Sequence, residues 1–261
     1  MDGRGVSPLV VGAALLSLLL FARALVRLRR RGRSDLAGWD RAALFAAGIA
    51  VLLLPLRTPL AGSSLSGHML EHVLVGDLGP ALVLLAVRGP LLFFLLPPVV
   101  TRTVARRAPL RRVAVLLLRP WVALAVWAAA YAGWHVPAAY DYAVAHEPAH
   151  GLQHLSFLVA GLLVWAQLVD PAGRRLLSVG ERLAFAGLVF AFGQILGDVL
   201  LLAGQPLYES YVGDADALED QQLAGVVMMV EQLLTLGTCA VLLVRSCLRV
   251  PGRVPARAAR A

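Results

Sequence analysis

Apolar residues in this chain form long unbroken runs, and nearly all charge falls in the short segments between them. A run of about 20 apolar residues wound as a helix crosses a hydrocarbon layer about 30 Å thick. Seven runs meet that length, at about 8–26, 40–60, 65–87, 113–134, 149–169, 181–203 and 221–244. An eighth apolar stretch, RGPLLFFLLPP at 88–98, is too short to span and carries prolines at both ends. It is predicted to be interfacial or re-entrant. The pattern predicts an all-α integral membrane protein. It would be one seven-helix transmembrane domain, with a basic tail at 245–261.

Composition excludes a soluble domain. Hydrophobic residues make up 59% of the chain and charged ones only 15%, against about 25% charged in soluble proteins. The net charge of +8 does not indicate a nucleic-acid partner. Every basic residue is an arginine, gathered in inter-span segments with no interleaved aromatic residues. The clusters follow alternate spans: Arg27 to Arg33 after the first, Arg102 to Arg112 after the third, Arg174 and Arg175 after the fifth, and Arg245 to Arg260 after the last. The other connections hold only Arg4 and Arg57, together with acids such as Asp141, Glu147, Glu209 and Asp214. The positive-inside rule then predicts the N-terminus outside and the C-terminus inside. The first run reads as a span, because one arginine precedes it and no small-residue cleavage site follows. Cys239 and Cys247 are eight residues apart on one helix, about 12 Å of rise, too far for a disulfide.

On this topology every histidine falls on the outer side. His68 and His72 occupy the outer turns of the third span, His135 the outer end of the fourth, His146 the following loop, and His150 and His154 the outer turns of the fifth. His68/His72 and His150/His154 are both i, i+4 pairs, which stack on one helix face. Two such pairs on facing helices would offer four imidazoles to one ion, a donor set that suits copper, zinc, iron or nickel. Met69 and the Met228–Met229 pair add thioethers of the kind Cu(I) accepts.

The stretch HEPAHGLQH at 146–154 also contains the H-E-x-x-H pattern of zinc peptidases. That pattern needs a regular helix through both histidines. Pro148 belongs in a first helical turn, which places His146 at or before the helix start. The pair in helical register is His150/His154, and the protease reading fails.

Carboxyl groups also fall within spans: Asp77 in the third, Asp198 in the sixth and Glu231 in the seventh, with Gln194 nearby. Polar groups at such depth are costly and tend to be functional, so they should be protonated, mutually hydrogen-bonded or close to a metal. Asp220 and Gln221 open the last span on the outer side, and Asp220 is also a candidate N-cap for it.

With these residues in view, the chain resembles the polytopic cytochrome c oxidase assembly factors, the CtaG-like proteins associated with copper delivery to caa-type oxidases. The resemblance covers about 60–240. It rests on HMLEH and the later Gly-Pro of LVGDLGP, on WHVPAAYDYAV, on HGLQHLSFLVAGLLVW and on DQQLAGVVM. It implies a multi-pass protein of the bacterial plasma membrane that is not an enzyme and that works with oxidase subunits and a copper donor. His68, His72, His135, His150, His154, Asp220 and Gln221 match family positions. The expected cargo is copper, as Cu(I), held by His68, His72, His150 and His154 with His135 and Met69 as auxiliary ligands. Asp77, Asp198, Asp220, Gln221 and Glu231 would support the site. Two alternatives stand beside this reading: a haem-binding membrane oxidoreductase, and a proton-coupled transporter relaying through Asp77, Asp198 and Glu231.

Overall fold

The first two apolar runs form α1 (Pro8–Arg30) and α2 (Trp39–Leu53) in the computed structural model, which describes residues 8–55, 64–213 and 216–248. The end of the predicted second span and most of the basic tail lie outside the described residues. The third run is α3 (Leu65–Ala86). The short apolar stretch forms α4 (Pro90–Leu95), one and a half turns after Gly89, whose φ of +72° suits glycine. Then come α5 (Pro98–Arg106), α6 (Ala108–Leu117), α7 (Pro120–His135), α8 (Pro137–Ala145), α9 (Glu147–Val169), α10 (Val179–Leu202) and α11 (Ala217–Leu248). Among the described residues there is no strand.

Six helical stretches among the described residues are long and apolar enough to cross a membrane, α2 counting together with the turn before it from Ser34, or seven if the bent pair α6–α7 counts as one span. The predicted continuous helix over 113–134 is therefore corrected: it breaks by 75° between Leu117 and Pro120. Pro120 forces its predecessor out of the helical region, and Arg119 sits at φ −74°, ψ 133°. The last helix starts at Ala217, a turn before its predicted edge.

Helix α3 is the centre of the bundle. Two-thirds of its most apolar window (67%) is buried by protein, against 17–44% for the other spans. Its first half packs against α11, its second half against α2, and α9 crosses it in the middle. Helix α7 lies on the other side of α9, α10 pairs with α11, and α4 packs on α1. Leu19, Trp39, Ile195 and Leu202 are 64–77% exposed, as expected of side chains that face lipid.

A wide π turn interrupts α3 at Leu74–Leu78, where the Gly79 amide bonds the Leu74 carbonyl. Pro80 supplies the reason: it has no N–H to offer the Gly76 carbonyl, so the turn before it opens. The close crossing of α9 depends on glycine there. A side chain at Gly161 would collide with the Gly76 carbonyl.

Candidate metal centre

The start of α3 is fixed twice. Ser64 accepts a hydrogen bond from the Gly67 amide at 3.0 Å. Asp220 of α11 accepts from the amides of Leu65 at 2.5 Å and Ser66 at 3.3 Å, and from the Ser66 hydroxyl. The expectation that Asp220 caps its own helix is corrected: it lies in the first turn of α11 and serves the N-terminus of α3. A carboxylate is favoured there by the unpaired amides and the helix dipole. Gln221 beside it ties the 203–208 connection down, accepting from the Leu207 amide at 2.7 Å and donating to the Leu200 carbonyl at 3.2 Å.

Helix α9 begins at Glu147, with His146 as its extended N-cap at φ −127°, ψ 106°. His150 and His154 thus lie in regular helix. His146 is exposed, stacks on Tyr142 at 4.1 Å between ring centroids and donates Nδ1–H to the Tyr142 carbonyl at 2.8 Å.

The two histidine pairs meet. Rings of His68 and His72 are 4.4 Å apart, those of His150 and His154 4.3 Å. Across the helices, His68 faces His150 at 4.9 Å and His72 faces His154 at 5.3 Å. One nitrogen from each of the four lies within 4.8 Å of all the others. His68 and His72 are each 2% exposed, whereas His150 and His154 are half-buried. Both ring nitrogens of His72 and Nε2 of His154 are buried without a hydrogen-bond partner. Such groups cost about 1–3 kcal/mol each when left unsatisfied. Convergent, unpartnered imidazole nitrogens fit a metal ion, which would satisfy them together.

Two tyrosines complete the surroundings of His68. Its Nδ1 is 2.7 Å from the Tyr140 hydroxyl and 3.1 Å from that of Tyr211, while its Nε2 is 3.0 Å from Nε2 of His150. Tyr140 comes from α8 and Tyr211 from the turn Glu209–Tyr211. Asp141 docks that turn on α8 by accepting from the Glu209 and Ser210 amides at 3.1 and 3.0 Å. Burial raises the phenols of Tyr140 and Tyr211 above their ordinary value, so both stay protonated. An imidazole that donates Nδ1–H to a phenol oxygen presents its Nε2 lone pair to a metal.

The family model of the cytochrome c oxidase caa3 assembly factors (Caa3_CtaG) matches residues 19–250. The chain belongs to this family. No curated protein and no solved structure matches it.

In this family member the other predicted site residues are placed differently. His135 donates Nδ1–H to the Tyr131 carbonyl at 2.7 Å, leaving Nε2 buried and unpartnered. It lies beyond Phe157, whose ring is 4.8 Å from His72 and 6.4 Å from His135. The four-nitrogen set does not include it. Met69 is fully buried in an apolar cluster with Leu65, Val73, Leu200, Ala224 and Met228.

Asp77, carried by the π turn, accepts from the Trp165 indole at 2.5 Å and from the Thr235 hydroxyl at 3.2 Å. It joins α3, α9 and α11 at mid-bundle. Glu231 stands one turn before Thr235, with both carboxyl oxygens buried. Asp198 is half-buried on α10, and Asp77 makes no hydrogen bond to it. Gln194 reaches α11 instead, at the Met229 carbonyl, 3.4 Å away.

Tyr140, Tyr211, Trp165 and Thr235 were not singled out from the sequence. Tyr140 lies within WHVPAAYDYAV, so the motif marked it without showing its role. Tyr211 and Thr235 carry no spacing signal, since their partners are over 140 residues away in the chain.

Proposed function

We propose that this oxidase assembly factor handles copper as cargo and that it is not itself an enzyme. His68, His72, His150 and His154 bind the ion, as Cu(I), on the outer side of a bacterial plasma membrane. Their convergence, with three ring nitrogens of His72 and His154 buried and unpartnered, is the observation that carries this reading. The pairs come from different helices and differ in exposure. The half-buried His150 and His154 meet the ion first as it passes from a copper donor, and His68 and His72 close the inner side. His135 and Met69 stand outside the four-donor set; Asp220 supports the site by capping α3, and Gln221 by tying the 203–208 connection and the end of α10 to α11. Oxidase subunits receive the ion.

Metal analysis of the purified protein beside a His72→Ala/His154→Ala variant tests this. The expected result is about one copper per wild-type chain, loss of it in the variant, and loss of oxidase activity in cells carrying the variant. Wild-type protein that takes up no copper, or a variant with unchanged uptake, overturns the reading.

A further inference from the structure

The segment between Asp77 and Asp141 contains no acidic residue, yet it carries Arg88, Arg102, Arg106, Arg107, Arg111, Arg112 and Arg119. Most of this charge is on α5 and α6, which are unlike the rest of the protein. Neither helix has a buried residue. They pack on each other and, through the base of α6, on α7. Most of their exposed residues are arginines or aliphatics such as Val99, Val113, Val115 and Leu116. Among the described residues the only ion pairs are Arg33–Asp35 and Arg182–Asp170, so none of the arginines on this arm is neutralised by a carboxylate.

An open recess of about 360 Å³ lies along α6 up to its 75° elbow with α7, lined by Arg111, Arg112 and Arg119 together with Val115 and Leu116. Arg111 already donates through one Nη to the Ala105 carbonyl at 3.0 Å and keeps its other N–H groups; with the forks of Arg112 and Arg119 these suit an anion with several oxygens. Two aliphatic side chains in the same recess suit hydrocarbon. Arg119 and His135 lie at opposite ends of α7, about 24 Å apart by helix rise, so the recess sits at the other membrane surface from the histidines. A ligand that is anionic at its head and apolar behind it, at a membrane surface, is a phospholipid.

We propose that the α6–α7 elbow is a binding site for an anionic phospholipid. The phosphate is held by Arg111, Arg112 and Arg119, and the acyl chains run along Val115 and Leu116 and the exposed aliphatic face of α6. The shared chemistry, a phosphate group, could also come from free phosphate, but the aliphatic lining and the position at the membrane surface favour the lipid. Bound there, the lipid anchors an arm that otherwise has little packing of its own, and it sets the angle at which α7 enters the bundle. This inference does not depend on the metal reading.

The full chain in neutral detergent is incubated with phosphatidylglycerol, phosphatidylcholine or inorganic phosphate, and retained lipid is read by native mass spectrometry. The wild type is expected to retain phosphatidylglycerol over phosphatidylcholine. Arg111→Gln/Arg112→Gln/Arg119→Gln should lose it by roughly fivefold per arginine, from the usual strength of one arginine near an anionic surface. Arg174→Gln/Arg175→Gln, which removes two exposed arginines elsewhere, should retain it. Should the triple variant not purify, Arg112→Gln alone gives the same comparison at about fivefold. Equal retention of the two lipids, equal loss in the control variant, or displacement of the lipid by millimolar phosphate overturns the proposal.

Discussion

His68 Nε2 and His150 Nε2 lie 3.0 Å apart, although the residues are 82 positions apart in sequence and belong to different helices. One ring donates to the other across this gap. Under the proposed function a bound ion would replace that hydrogen bond, with the proton of His68 on Nδ1, facing Tyr140.

His150→Ala and His146→Ala should behave oppositely. The first removes a nitrogen of the four-donor set and should weaken copper binding at least tenfold. The second removes an exposed ring bonded to the Tyr142 carbonyl of α8, and should leave the affinity unchanged. Competition titration with a Cu(I) chelator reads both, and equal effects would contradict the assignment of the set.

Tyr140→Phe keeps the ring and deletes the hydroxyl that faces His68 Nδ1. Outer partners of metal-bound histidines typically change affinity by about 10–100-fold, and a loss in that range is expected. Tyr211→Phe should cost less, because its hydroxyl is farther away at 3.1 Å. Nitrogen-15 chemical shifts should show the His68 tautomer mixture change in Tyr140→Phe, which a purely structural defect would not produce.

Asp220→Ala should destabilise the protein by about 1–2 kcal/mol, the usual cost of losing a helix cap. The loss arises at α3, not at the helix that contains Asp220. Hydrogen exchange should therefore quicken at the Leu65 and Ser66 amides, while the first turn of α11 stays protected. The reverse pattern would count against the cross-helix cap.

Asp77→Ala leaves the Trp165 indole without its acceptor, at a cost of about 1–3 kcal/mol, while the Thr235 hydroxyl keeps the Glu231 carbonyl at 3.1 Å. Trp165→Phe alone leaves one carboxyl oxygen unpaired. A double-mutant cycle between the two should give a coupling of at least about 0.5 kcal/mol. Additive effects would mean that the contact contributes nothing.

Asp170 turns the chain between α9 and α10. Its carboxylate accepts from the Arg174 and Arg175 amides and from the Arg182 guanidinium, each at 2.9 Å. Burial alone would raise its pKa, but these donors outweigh it and hold the group below 3.8. A depressed carboxyl pKa stabilises the fold above the ordinary value, and the contribution is lost as pH falls through the folded one. Asp170→Asn should lower the melting temperature at pH 7, and the difference from wild type should shrink below about pH 4.

Much of this protein was legible from sequence, because the bilayer imposes one-dimensional rules. A span must be apolar for about 20 residues and must satisfy its own backbone, so length and hydropathy predict the helices directly. Pro148 likewise set the start of α9 and thereby chose His150/His154 over His146/His150, since proline acts on the backbone next to it. The two i, i+4 pairs were visible for the same local reason. That the pairs face each other was an expectation only, for nothing along the chain specifies which helix faces meet. The tertiary structure decided that through the close crossing at Gly76 and Gly161. It also decided that Asp220 caps α3, that Tyr140 and Tyr211 surround His68, and that His135 stands apart behind Phe157. Each of these depends on side chains distant in sequence reaching the same point, and only packing in three dimensions brings them there.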